Sequence, residues 1–154
     1  MKIELDFKDS SEIYVEANSS EFDRIILNLI NNSVDALKDN SGKILVAIRG
    51  YKDLALVIVQ DNGRGISEER LATLGARGVS YDREGSDSGS GNGLGLFYTK
   101  TKVQEWGGQV QFLSRENVGT TIEIRLERKP NPNARPVPLS EASFLFCGSG
   151  ASAN

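Results

Sequence analysis

The spacing of hydrophobic positions changes several times along the first half of the chain, and each change predicts an element. Alternating polar and apolar residues at 2–8 and the apolar group at 13–15 predict two short strands at one edge of a sheet. Apolar residues then recur at helical spacing over residues 20–39, after the candidate N-caps Ser19 and Ser20. The apolar runs at 43–49 and 54–59 predict a β-hairpin with a deeply buried second strand.

The second half of the chain predicts two more helices and two closing strands. Residues 66–71 favour a short helix, and a helical pattern over 94–106 stops at Gly107 and Gly108, a pair suited to a left-handed C-cap. The runs at 109–114 and 120–126 predict strands. Glycine and serine dominate residues 75–93, which predicts a segment without regular structure.

Composition narrows the class of protein. The 154 residues suit one domain, which we expect to cover 1–128, followed by a tail at 129–154 that holds all 4 prolines. A net charge of −3 argues against nucleic-acid binding, and no apolar run is long enough to cross a bilayer, so we expect no membrane contact. The single cysteine, Cys147, excludes a disulfide framework and favours a reduced, cytoplasmic setting.

Three polar side chains recur along the first predicted helix. Asn28, Asn32 and Asp35 are spaced i, i+4 and i+7, which predicts one polar stripe opposite the main apolar arc. An amide oxygen is a neutral hard ligand suited to Mg²⁺, and Asn32 is the direct metal ligand that we predict. Taken alone, the stripe is equally well explained as a solvated helix face.

A carboxylate and two glycines follow the buried second strand of the hairpin. Asp61 is held at the rim of the core, while Gly63 and Gly65 let a flat ligand approach the backbone. A carboxylate there can accept a hydrogen bond from the exocyclic amine of adenine. The alternative is an ordinary Asp-Asn-Gly turn between strands.

A glycine-rich block at residues 91–96 leads directly into the helix at 94–106. Its backbone N–H groups and the positive end of the helix dipole predict a phosphate cradle. The block lacks the lysine and hydroxyl ending of a P-loop and the glycine spacing of a dinucleotide-binding fingerprint. Thr120, at the start of the last strand, could reach a phosphate or an adenine-bound water, or simply begin the strand after a turn.

The three blocks in this order resemble the ATPase domain shared by gyrase, large heat-shock chaperones, histidine kinases and mismatch-repair ATPases, the GHKL superfamily. The resemblance covers about residues 2–128, with an asparagine box at 28–36 and glycine boxes at 61–66 and 91–96. It implies an α+β fold, a two-layer sandwich in which a mixed, mostly antiparallel sheet of about five strands packs on about three helices. It also implies ATP and Mg²⁺ as ligands, held by Asn28, Asn32, Asp35, Asp61, Gly63, Gly65, Ile66, Gly91, Gly93, Leu94, Gly95, Leu96 and Thr120.

Within this superfamily, Asn28 indicates a kinase. The hydrolytic branches typically carry a glutamate four residues before the magnesium asparagine, where it activates water, and this chain has Asn28 there. The resemblance therefore implies a sensor histidine kinase, membrane-anchored or soluble, with Asn28 and Asn32 as catalytic residues. Its γ-phosphoryl acceptor is a histidine on a separate helical dimerisation domain, because this chain has 0 histidines, and a response regulator is a further partner.

Residues 66–92 are expected to form a mobile lid that orders over a triphosphate and loosens with a diphosphate. Three other functions stay open at this point. They are a regulatory ATP-binding module that phosphorylates nothing, an anti-sigma-type serine kinase, and a hydrolytic ATPase with an unusual asparagine box.

Overall fold

The structure is a computed structural model that describes residues 1–7, 12–37, 41–73 and 94–133. Its elements in chain order are β1 (Lys2–Asp6), α1 (Ser19–Ala36), β2 (Lys43–Gly50), β3 (Leu54–Asp61), α2 (Glu68–Thr73), α3 (Leu94–Glu105), β4 (Gln109–Arg115) and β5 (Gly119–Glu127). The strands form one 5-stranded sheet in the order β1-β2-β3-β5-β4. Only β1 and β2 run parallel, so the predicted fold class, including its mixed sheet, is confirmed.

The helices α1 and α3 pack on one face of the sheet. Side chains of a strand alternate between the two faces, and the apolar side chains of one face are covered by these helices. On β3, for example, Ala55, Val57 and Val59 are buried, while the residues between them are half-buried on the other face. The helices contribute Ile25, Leu29 and Val103, all fully buried. Burying each such side chain contributes about 1.5–3 kcal/mol, so this layer supplies most of the driving force for folding.

The first helix begins at Ser19, which is earlier than either candidate cap implies. Asn18 is the N-cap, and its side-chain oxygen accepts a hydrogen bond of 3.0 Å from the backbone N–H of Glu21. The prediction that Ser19 or Ser20 caps the helix is wrong, because both already lie inside it. The helix ends at Ala36 with Leu37 as its C-cap, and residues 38–40 lie outside the described part of the chain.

The predicted strand at 13–15 is also wrong, since only Tyr14 makes a β-bridge, to Lys129. The edge position beside β2 is taken by β1. The apolar residues of the segment serve packing instead: Val15 lies against the core, and a Cβ added at Gly50 would lie 2.8 Å from the side chain of Ile13.

The end of α3 confirms the predicted glycine cap. Gly107 has a positive φ of 72°, and its N–H donates to the carbonyl of Gln104 over 2.9 Å. The N–H of Gly108 donates to the carbonyl of Val103 over 2.8 Å, which completes a Schellman motif. The chain can therefore turn directly from α3 into β4.

The predicted domain boundary near residue 128 falls just before the last backbone bridge, at Lys129. Residues 134–154 lie outside the described part, so the division into a domain and a tail stays a prediction. Among the described helices, none is both long enough and apolar enough to span a bilayer.

Candidate functional site

A row of polar side chains crosses the helix-facing side of the sheet at one end of the core. Asp61, Thr120 and Ser114 are neighbours on β3, β5 and β4, since Thr120 pairs with Asp61 on one side and with Ser114 on the other. Asp61 and Thr120 are each only 7% exposed. A buried polar row next to apolar rows requires hydrogen-bond partners, and these partners define the site.

The carboxylate of Asp61 is held by three donors. The backbone N–H of Gly63 donates to it over 2.9 Å, and the hydroxyl of Ser33 and the backbone N–H of Thr120 donate as well. Burial nevertheless raises the pKa of Asp61 above its ordinary value, and the three hydrogen bonds oppose that rise. The result is a fixed, largely dehydrated acceptor, as an amine-recognising group requires.

The helix α1 contacts the site at two places, through Ser33 and through Asn28. Ser33, 3% exposed, reaches Asp61, while Asn28, five residues earlier, lies against the beginning of α3. Five residues of helix span about 7.5 Å along the axis. The end of β3 and the beginning of α3 therefore contact α1 at two positions that are separated along its axis.

Asn28 contacts Gly95 so closely that no side chain fits there. A Cβ added at Gly95 would lie 2.3 Å from the Oδ1 atom of Asn28. The Nδ2 atom of Asn28 is buried and has no hydrogen-bond partner. A buried amide that lacks a partner costs about 1–3 kcal/mol, so this donor next to the N-terminus of α3 indicates a missing acceptor.

The polar stripe of α1 flanks the buried face of the helix, so its predicted position opposite that face is wrong. Asn28 and Asn32 each follow a buried residue, Ile25 and Leu29, by three positions and therefore lie beside it. The opposite face instead bears Leu27, which is 61% exposed. Asn32 is exposed one turn after Asn28, as a group that contacts a ligand would be.

Asp35 is exposed as well and has an interaction within the protein. Its predicted role in binding a nucleotide stays a prediction.

The first glycine loop, residues 62–66, packs between α1 and the turn that joins β4 to β5. A Cβ at Gly63 would lie 2.5 Å from the carbonyl oxygen of Ala36, and one at Gly65 would lie 2.0 Å from that of Arg115. Gly65 also has a positive φ of 66°. The loop leads from β3 into α2, so the alternative of an ordinary turn between two strands does not hold.

The second glycine block is only partly within the described residues. Gly91 and Gly93 lie outside them, as does most of the predicted lid, while Leu94 begins α3. Leu96 is half-buried and packs against the core. Gly95 is further fixed by Thr99, which is fully buried and donates from its hydroxyl to the Gly95 carbonyl over 2.9 Å.

Two residues of the site escaped the sequence analysis. Ser33 sits four residues after Leu29 on the buried face of α1, and a polar residue at a core position is a signal that could have identified it. Ser114 accepts the backbone N–H of Ile66 over 2.9 Å and so connects β4 to the first glycine loop. Nothing in its local sequence marks it, because its role depends on strand order.

A separate polar hollow of about 310 Å³ lies between α2 and the β4–β5 turn. It shares only Gly65 with the predicted site, and it is lined by Arg64, Gly65, Ser67, Arg70, Glu116 and Asn117. The predicted nucleotide site lies elsewhere, around the buried carboxylate of Asp61 and the unpartnered amide of Asn28. In the described part of the chain, no cluster of three or more His, Cys, Asp or Glu side chains is arranged to hold a metal ion.

Comparison with known proteins identifies the family of the chain. The model of the family described as "Histidine kinase-, DNA gyrase B-, and HSP90-like ATPase" matches residues 17–130. Histidine protein kinase DivJ of Caulobacter vibrioides is 33% identical over 131 residues, which are 82% of this chain and 21% of DivJ. A probable C4-dicarboxylate sensor kinase of Halalkalibacterium halodurans is 35% identical over 127 residues, 79% of this chain and 23% of that protein. The chain thus spans about a fifth of the length of these relatives.

Solved structures share the fold. The catalytic domain of histidine kinase ThkA matches with a TM-score of 0.69 at 22% identity, covering 84% of this chain and 81% of that one. The mycobacterial sensor histidine kinase MprB matches with a TM-score of 0.67 at 24% identity, covering 84% of this chain and 83% of that one.

Proposed function

The chain belongs to the family of histidine kinase-, DNA gyrase B- and HSP90-like ATPases, and from this premise we propose that it is the ATP-binding catalytic domain of a sensor histidine kinase. It binds Mg-ATP between α1, the end of β3 and the beginning of α3. It then presents the γ-phosphoryl group to a histidine on another domain. The observation that carries the proposal is the buried, unpartnered Nδ2 atom of Asn28 beside the first turn of α3.

The base end of the nucleotide is recognised by Asp61. Its carboxylate already accepts three hydrogen bonds from the protein, which hold it in place and leave about one of its four lone pairs for a ligand. The exocyclic amine of adenine is a donor that fits such an acceptor. Gly63 and Gly65, which lack side chains, let the loop after β3 pack against α1 and the β4–β5 turn, and this packing positions Asp61.

The phosphate end is recognised by α1 and α3 together. The amide of Asn28 donates a hydrogen bond, and the N–H groups at the beginning of the 12-residue helix α3 favour negative charge. Asn32 supplies an amide oxygen to Mg²⁺. When bound, Mg²⁺ neutralises phosphate charge and so assists transfer of the phosphoryl group.

The domain holds ATP without activating water. The carboxamide of Asn28 has no basic atom at neutral pH, so it cannot take a proton from water as a glutamate could. Transfer needs an outside nucleophile: a histidine nitrogen forms a bond to the γ-phosphorus, the bond from that phosphorus to the bridging oxygen breaks, and ADP leaves. The chain has 0 histidines, so the acceptor belongs to a separate helical dimerisation domain.

The wider setting follows from the same proposal. The phosphorylated dimerisation domain would pass its phosphoryl group to a response regulator, and the domain would work in the cytoplasm. No feature of the described residues favours the serine kinase, the regulatory module or the hydrolytic ATPase.

The test is incubation of the chain with γ-labelled ATP, Mg²⁺ and candidate histidine-containing dimerisation domains. We expect acid-labile phosphate on the dimerisation domain and little ATP turnover by the chain alone. Acid-stable phosphate would instead support a serine kinase. Tight ATP binding without transfer would support a regulatory module, and rapid turnover by the chain alone would support a hydrolytic ATPase.

A further inference from the structure

Three hydrogen-bonding groups converge on the hydroxyl of Ser114. The backbone N–H of Ile66 lies 2.9 Å from the Ser114 oxygen, the carbonyl oxygen of Gly119 lies 2.8 Å away, and the hydroxyl of Thr120 lies 2.9 Å away. A serine hydroxyl has one proton to donate and two lone pairs to accept with. Three partners therefore use its capacity completely.

Only one arrangement of protons satisfies all three contacts. The carbonyl of Gly119 can only accept, so the single proton of Ser114 points to it. The N–H of Ile66 can only donate, so it occupies one lone pair of Ser114. The remaining lone pair must accept the proton of Thr120, which leaves the hydroxyl of Thr120 with lone pairs alone to offer elsewhere.

The fixed proton of Thr120 matters because of its neighbour. Thr120 is paired with Asp61 in the sheet, and both are 7% exposed at the end of the site where we place the base. An ionised Asp61 is also only an acceptor. The buried base end therefore presents acceptors from two adjacent side chains.

We propose that Ser114 is a specificity-determining positioning residue, which holds the hydroxyl of Thr120 as an acceptor and so favours purine nucleotides with an amino group at C6 over those with a carbonyl there. The proposal rests on the proposed function, because it concerns the base end of the same nucleotide site. An amino group brings protons to both acceptors. A carbonyl oxygen brings only lone pairs, and a buried site with unpaired acceptors rejects such a ligand.

Removing the Ser114 hydroxyl would release the proton of Thr120. In Ser114→Ala, that hydroxyl can rotate and donate to a carbonyl at C6 of the base. Ser114→Thr keeps a hydroxyl at the position, and Ser114→Cys keeps its size while replacing the oxygen with a weak acceptor. Thr121→Val is the matched control, because Thr121 is the next residue of β5 and faces the other side of the sheet.

The experiment is calorimetric titration of the intact chain and these variants with ADP and with inosine diphosphate, which carries a carbonyl at C6. We expect the unmodified chain to prefer ADP by about 100-fold, and Ser114→Ala and Ser114→Cys to narrow that preference by about tenfold. Ser114→Thr and Thr121→Val should retain it. Because both ligands titrate the same folded protein, a lower folded fraction leaves the ratio of affinities unchanged.

Two sets of results would overturn the inference while leaving the proposed function intact. One is an equal loss of affinity for both nucleotides in Ser114→Ala and Ser114→Cys, which is what a purely structural role predicts. The other is an unmodified chain that binds ADP and inosine diphosphate equally well. Failure of the unmodified chain to bind either nucleotide would overturn the proposed function, and the inference with it.

Discussion

At the scale of single residues, the proposed recognition of the base depends on Asp61. It is 7% exposed, and we expect Asp61→Asn to weaken ADP binding by about 2 kcal/mol or more, since a buried polar group is then mispaired with the ligand. Asp53→Asn, the same change in the exposed turn between β2 and β3, is the control and should bind ADP normally. Calorimetry measures both, and unchanged affinity in Asp61→Asn would contradict the assignment.

The raised pKa of Asp61 also predicts opposite effects of pH on binding and on folding. Protonation removes the acceptor, so ADP affinity should fall as the pH is lowered through the raised pKa, which lies above the ordinary value of 3.8. The folded state binds a proton on Asp61 more tightly than the unfolded state does. Protonated Asp61 therefore stabilises the fold at low pH, and this contribution to the free energy of unfolding is lost as the pH rises through the raised pKa. Titrations and urea unfolding between the ordinary pKa and neutrality should show both trends, and Asp61→Asn should flatten both. An affinity for ADP that is independent of pH across this window would contradict the account.

The two asparagines of α1 should differ in their dependence on metal. Asn32→Ala should weaken nucleotide binding by about tenfold with Mg²⁺ and little in EDTA, because its role is through the metal. Asn28→Ala should weaken binding under both conditions, because its buried Nδ2 would contact the ligand directly. Asn31→Ala, at the exposed neighbouring position, is the control. An equal loss for Asn32→Ala in EDTA would indicate structural damage.

At the scale of elements, α1 both builds the core and carries the site. Leu29 is fully buried between Asn28 and Ser33, while Leu27 on the opposite face is 61% exposed. Leu29→Ala should lower the free energy of unfolding by about 2–5 kcal/mol, because it leaves a cavity. Leu27→Ala should change it by less than about 0.5 kcal/mol. Urea denaturation separates the two, and similar losses would contradict the packing described for α1.

The elements themselves were largely predictable, whereas contacts between distant elements were not. The pattern of apolar residues predicted all five strands: alternation marked β1, and longer apolar runs marked β2 and β3. It also predicted a strand at 13–15, because periodicity cannot show that β1 already occupies the place beside β2. Ser114 was missed for a similar reason: its contact with Ile66 joins β4 to the loop after β3, and the two residues are 48 positions apart in the sequence.

In the candidate site, too, local motifs were predictable and contacts between distant elements were not. Asp61 and Asn28 could be identified from local motifs, since each lies in a short block whose glycines or amides have a clear chemical use. The position of Asn28 against Gly95 required the packing of α1 on α3, which no local pattern encodes. The predicted contributions of Gly91, Gly93 and the lid lie outside the described residues and stay predictions.

At the scale of the whole molecule, the sheet and helices form the frame that positions the two ends of the proposed nucleotide site. The strands hold Asp61 and Thr120 at the proposed base end, while α1 and α3 bring Asn28 and Gly95 together at the proposed phosphate end. The helix α1 contacts both ends of the proposed site and also packs in the core. Changes in the stability of the fold should therefore affect nucleotide binding. The proposed role as a donor of phosphoryl groups to another domain agrees with a chain that has 0 histidines.

The most direct measurement is a crystal structure of the chain with Mg²⁺ and a non-hydrolysable ATP analogue. The account predicts the adenine amine within hydrogen-bonding distance of the Asp61 carboxylate, and phosphate oxygens at Asn28 with Mg²⁺ at Asn32. An analogue bound in the hollow between α2 and the β4–β5 turn, or with its base away from Asp61, would contradict it.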